Sequence, residues 1–205
     1  MTKRAFAWSV MMVLAIAIAG YASAVMIVSE FRPPLVRTLF AERPIIAVSH
    51  FTCGAISLVA GAFQLNTRLR TGFIRAHRWL GRLYLLAVGV GGTAGFTMAL
   101  QSLGGPAAHA GFGLLAIAWL ASTLIAYRYI LQRNFDAHRS WMIRSYALTL
   151  AAVTLRLYIP LSQIAGIPFE AAYPVIAWLC WVPNLAVAEW FVRSRYDFAM
   201  LPNAR

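Results

Sequence analysis

Six apolar runs organise the chain, at about 6–28, 45–65, 78–101, 107–127, 140–159 and 173–192, with basic, proline or glycine breaks between them. Crossing the hydrocarbon core of a bilayer takes roughly 20 residues in a helix, because lipid offers no partner to an unbonded peptide group. Each run has that length, which predicts six transmembrane helices. The segment 30–44 carries Pro33, Pro34 and Pro44; it cannot continue a helix through its prolines and is expected along the outer interface. The link Gly104-Gly105-Pro106 turns the third run directly into the fourth, and short links make sequence neighbours antiparallel neighbours. The expected fold is all-α: a single membrane domain over 1–205, with helices 2–5 as a central up-down four-helix bundle.

The first run has a secretory look, since Lys3 and Arg4 precede it and Ala22-Ser23-Ala24 resembles a cleavage site. Its apolar length favours a retained helix. Composition agrees with lipid as the solvent: 61% of the 205 residues are hydrophobic, and the mean hydropathy is +0.69. A soluble domain of this size is nearer half apolar.

The net charge of +12 suggests nucleic acid only if the basic residues form a stripe, and here they punctuate apolar runs. No nucleic-acid partner is expected. With Arg32, Arg37, Arg43 and Arg156 on one side, the other 14 of the 18 Lys and Arg fall on the opposite side. The positive-inside rule makes the richer side, with both termini, cytoplasmic, as in a bacterial inner-membrane protein. Cys53 and Cys180 lie within apolar runs and form no CxxC pair; packing residues are expected, with no zinc, disulfide or covalent haem.

Laying the second and third runs over the fourth and fifth exposes a repeat. Ala76-His77-Arg78-Trp79 to Tyr84 matches Ala137-His138-Arg139 to Tyr146 with one inserted residue, and His50 precedes the first copy as His109 precedes the second. The intervals are 27 and 29 residues. Repeat A spans about 45–101 and repeat B about 107–159, with helix 6 at about 173–192; two hairpins related by an axis normal to the membrane are the natural geometry.

These four histidines are all the chain has. One falls at or near the start of each of helices 2–5. His50 and His109 enter helices running inward and lie towards the outer face; His77 and His138 enter helices running outward and lie towards the cytoplasm. Helices 2 and 4 are diagonal in an up-down bundle, as are 3 and 5, so each pair faces across the axis, as bis-imidazole ligation of haem iron requires. His50-x-x-x-Gly54, His77-x-x-x-Gly81 and His109-x-x-x-Gly113 each leave room one turn on for a flat macrocycle, whereas Met142 takes that place after His138. A helix start also favours the neutral, ligating imidazole.

Arg78, Arg139, Arg82 and Arg144 are positioned to meet haem propionates, and equally to act as positive-inside anchors. Arg156, about four residues inside the outer end of the fifth helix, either meets an outer propionate or an anionic substrate, or snorkels to the interface. Asp136 reads as the N-cap of the fifth helix ahead of an acceptor for His138. Trp79, Trp141 and Trp190 read as aromatic-belt residues.

The AHRxxGR and HRxWMxR segments, with the upstream histidines, resemble a bacterial membrane-protein family, domain of unknown function 2306, over about His50 to Arg156. One histidine on each of four consecutive helices is also similar to transmembrane cytochrome b561. That resemblance implies two haem b groups, His50 with His109 and His77 with His138, and electron transfer across the membrane; the ascorbate-site motifs of that family are not matched. The expected activity is transmembrane electron transfer by a dihaem b-type cytochrome, from quinol or another small donor. The competing expectations are a non-enzymatic subunit or assembly factor of a larger membrane complex, and a small transporter or lipid-binding protein using Arg156, Gln101 and Gln163.

Overall fold

The computed structural model describes residues 3–200 of the chain, which form helices and turns with no strand among them. Ten α-helices follow in order: α1 Lys3–Ile27, α2 Pro34–Glu42, α3 Pro44–Gln64, α4 Thr67–Gly72, α5 Ile74–Ala99, α6 Gly105–Leu131, α7 Phe135–Thr149, α8 Ala151–Ile164, α9 Phe169–Leu179 and α10 Val182–Met200. Five stretches are long and apolar enough to cross a membrane: Phe6–Ile27, Pro44–Gln64, Gly105–Leu131, Phe135–Ile164 and Phe169–Ser194. The third predicted crossing, α5, has 26 residues and therefore the length. Arg75, Arg78 and Arg82 in its first turns and four glycines further on lower its hydropathy.

The prolines of 30–44 start helices instead of preventing them. Pro34 and Pro44 stand in the first turns of α2 and α3, where the missing N–H would have had no intrahelical partner. A short 3-10 turn, Ser29–Phe31, comes before. Arg32 folds back over the end of α1, Nε donating to Val25 O and Nη2 to Met26 O, both at 2.9 Å, and so satisfies two terminal carbonyls.

α3 packs against α5, α5 against α6 and α6 against α7, and α7 closes on α3. Contacts run antiparallel at each step. Gln64 donates to His77 O while His50 reaches Gly91 at the other end of α3 and α5. Ala126 meets His138 while Trp119 meets Thr149 between α6 and α7. α1 lies along α3, tied by Trp8 Nε1 donating to Ala62 O at 3.0 Å. The α9–α10 stretch lies against α6, α7 and α8.

The turn into α6 depends on glycine. Gly104 has φ +88° and Gly105 φ +66°, and a Cβ on Gly104 would sit 2.9 Å from Pro174 Cγ. Gly104→Ala is therefore strained in backbone and packing alike, and is expected to cost about 1–3 kcal/mol; a lowered unfolding temperature in detergent checks it.

Two long stretches are broken mid-way. α7 gives way to α8 at Leu150, and α9 to α10 at Cys180 and Trp181. The breaks face each other: Asn184 Nδ2 donates to Ala147 O, Thr154 Oγ1 and Cys180 O, and Thr154 Oγ1 donates to Cys180 O. Pro183 accounts for the second break, since it has no N–H for Leu179 O.

Candidate functional site

The space enclosed by α3, α5, α6 and α7 is filled at mid-height by a hydrogen-bonded polar centre. The Tyr84 hydroxyl shares hydrogen bonds with Ser145 Oγ and Thr149 Oγ1, both at 2.8 Å. Trp119 Nε1 donates to Thr149 Oγ1 at 2.9 Å, and Thr123 Oγ1 meets Ser145 Oγ at 2.6 Å. Tyr146 donates to Leu58 O at 3.0 Å. These side chains are buried, and inside a membrane such groups persist only when paired. None was singled out from sequence; the available signal was Trp119 with Thr123 and Ser145 with Thr149, each four apart and so on one helix face.

The histidines flank this centre. His77 and His138 both stand at the fourth position of their helices. They are 61 residues apart, the same offset as Tyr84 and Ser145, which touch across the centre; the two histidines are thus at one height. His138 Nδ1 lies 2.8 Å from Ala126 O. A carbonyl only accepts, so Nδ1 carries the proton and Nε2 is left as a lone pair, the arrangement usual in a histidine ligand. His77 Nδ1 is buried and hydrogen-bonds nothing.

The outer pair is arranged differently. His50 lies beyond the first turn of α3, its Nδ1 donating to Gly91 O at 3.0 Å and its ring against Gly95, whose added Cβ would lie 3.0 Å away. The macrodipole argument does not reach that far along a helix. His109 Nε2 donates to Ser102 O at 2.8 Å. Gly95, against the His50 ring, lies four residues before the end of α5, roughly 6 Å at the helical rise, whereas Ser102, the partner of His109, lies in the turn beyond that end. His109 is therefore level with the turn, and His50 lies well inside.

Of the glycines expected to clear room, Gly54 has nothing within 4 Å of an added Cβ, Gly81 has the Gln64 amide at 3.5 Å and Gly113 only the Phe96 ring at 3.9 Å. The close approaches are elsewhere. A Cβ on Gly61 would overlap Tyr146 and lie 2.8 Å from Tyr84, one on Gly91 would meet Cys53 at 2.9 Å, and one on Gly92 would meet Leu120 at 2.8 Å. Cys180 is buried, and both cysteines are free.

The arginines divide. Arg82 stacks on Trp79 with 4.9 Å to the ring centroid and Arg144 on Trp141 with 4.8 Å, so the repeat carries one Trp-x-x-Arg pair in each half. Arg144 is also held by Glu189 at 2.7 Å, and Glu189 is shared with Arg193 at 2.8 Å. Asn134, not Asp136, caps α7: its Oδ1 accepts from Ala137 N at 3.1 Å, which leaves Asp136 in the first helical turn. Arg156 lies eight residues inside the end of α8, deeper than its run predicts. Among the described residues no three His, Cys, Asp or Glu side chains converge.

Residues 47–192, a stretch that includes all four histidines and Arg156, match the model of a family described as predicted membrane protein, DUF2306. The chain belongs to the DUF2306 family. No curated protein and no solved structure matches this DUF2306 member. It is a membrane protein, and its apolar helix surfaces, such as Ile16, Leu86, Ile117 and Val187, face lipid.

Proposed function

We propose that this protein is a b-type cytochrome of the bacterial cytoplasmic membrane, with six crossing helices, both termini in the cytoplasm, and haem held between His77 and His138. The observation that carries the reading is the inner pair itself. Two histidines from diagonal helices α5 and α7 share one height, and one has a buried nitrogen with no partner. Both rings suit the neutral ligating form: His138 through its Ala126 hydrogen bond, His77 through that unbonded nitrogen. The outer pair, with His50 about a helical turn inside the end of α5 and His109 at the turn, is not proposed to share an iron.

Haem supplies one-electron chemistry when bound, with a quinol or other small membrane donor as its partner. Arg78 and Arg139, next to the two histidines, suit its propionates. Arg144 is engaged by Glu189 and serves as an anchor. The Tyr84 centre keeps water from the site on the membrane side. The up-down order of α3, α5, α6 and α7, the lengths of all six stretches and the cytoplasmic excess of arginine support the topology.

The test is a reduced-minus-oxidised absorption spectrum, with pyridine haemochrome quantitation, of protein purified from cells well supplied with haem. A b-type difference spectrum is expected. His77→Ala and His138→Ala should each abolish it, whereas His50→Ala and His109→Ala should retain it; a wild-type protein without haem bands overturns the reading.

The facing helix breaks at Leu150 and Cys180 favour a second reading, transport of a small solute at mid-membrane. It ranks below the first because Asn184 and Thr154 already bond the carbonyls that a solute would need. Solute flux in proteoliposomes of haem-free protein, altered by Asn184→Ala, would reverse that order.

A further inference from the structure

Arg156 stands in the outer half of a membrane-crossing stretch, and its side chain does not run towards the nearby end of α8. Nη1 donates to Ala152 O at 2.9 Å, one turn back towards the middle of the membrane. A snorkelling arginine extends the other way, so its charge reaches water. Its guanidinium lies over the Tyr21 ring of α1, 5.6 Å from the centroid.

No carboxylate is among the groups acting on it. The two ion pairs among the described residues both involve Glu189, with Arg144 and Arg193, and Glu30, Glu42 and Glu170 belong to the outer turns and helix ends. A guanidinium has five N–H donors in a planar fork, and the structure gives it one carbonyl and one ring face. A desolvated charge without a counter-charge is strongly unfavourable, and a fork of this kind pairs best with a carboxylate or phosphate. Tyr21, whose ring the guanidinium covers, adds a hydroxyl.

We infer that Arg156, beside Tyr21, is a binding site for one oxyanionic group, a carboxylate or phosphate, within the outer half of the membrane between α1 and α8. The site stands apart from the inner histidine pair and does not depend on the haem reading. A partly exposed Arg156 between α1 and α8 makes the lipid phase the route of entry.

The test measures the unfolding temperature of the full-length protein in nanodiscs. One arm compares phosphatidylcholine discs with discs containing phosphatidylglycerol, and the other adds inorganic phosphate or acetate to the phosphatidylcholine discs. Haem content is read in every sample. At about 100 times the dissociation constant, a rise on the order of 5 °C or more is expected in one arm, and that arm identifies a lipid or a free anion as the source. Arg156→Gln should lose the rise while unfolding no lower than wild type without the anion, since a buried charge has gone. Arg156→Lys should keep most of it. The inference fails if neither arm shifts wild type, or if Arg156→Gln rises equally, which would assign the effect to the cytoplasmic arginines. Loss of haem as the Gln variant's only change would make the anion a haem propionate and overturn the claim that the site is independent of haem.

Discussion

Gly61→Ala should be among the most damaging single-methyl additions in this protein, with a loss of about 3 kcal/mol or more. The new methyl would overlap the Tyr146 ring and press on Tyr84 at 2.8 Å, and neither ring can move aside. Tyr146 is held by Leu58 O, and Tyr84 by Ser145 and Thr149. Gly54→Ala, two turns earlier on the same helix, meets nothing within 4 Å and should be neutral or slightly stabilising, since alanine is the better helix former. Unfolding of the two variants side by side in detergent isolates packing from helix propensity; equal behaviour would show that the rings are not fixed as described.

The second large effect is expected at Thr149. Thr149→Val preserves shape and removes a hydroxyl that accepts from Trp119 Nε1, meets the Tyr84 hydroxyl and donates to Ser145 O. Tyr84 keeps Ser145 as a partner, but the buried indole N–H is left with none. Leaving such a donor unpaired costs about 1–3 kcal/mol, although hydrogen bonds inside membranes are often worth less, about 0.6–2 kcal/mol. A Trp119→Phe, Thr149→Val double-mutant cycle measures the pair directly. The double variant should recover part of the loss, because the orphaned donor is gone as well.

Five stretches of crossing length could be read along the chain because spanning lipid is a one-dimensional requirement of apolar length and of charge at the ends. Pro44 to Gln64 shows this: proline starts it, polarity ends it, and α3 differs from its predicted limits by one residue at each end. The height of a side chain within the bundle was harder to read. His50 and His109 occupy similar places in their runs, yet α3 starts six residues before His50 and α6 only four before His109. The inner pair keeps its register because the repeat preserves the fourth helical position in both copies.

Pro183 marks the break at Cys180 within a run expected as one helix over 173–192, while the break at Leu150 has no proline and is met by Asn184, a partner remote from it in sequence. Tertiary hydrogen bonds of that kind leave no periodic trace. The polar centre went unread for a similar reason: isolated Ser and Thr in apolar helices commonly bond their own backbone, and only the arrangement of three helices shows that Tyr84, Thr123, Ser145 and Thr149 meet.

That centre also bears on leakage. Tyr84, Trp119, Thr123, Ser145 and Thr149 are buried and bonded to one another at 2.6 to 2.9 Å, and Tyr146 closes on the backbone of α3. Interiors packed in this way leave no thread of water between the two ends. A cell filling its membrane with this protein should keep its proton gradient, because the inside of the four helices is sealed at mid-height by hydroxyls that have no bonds to spare.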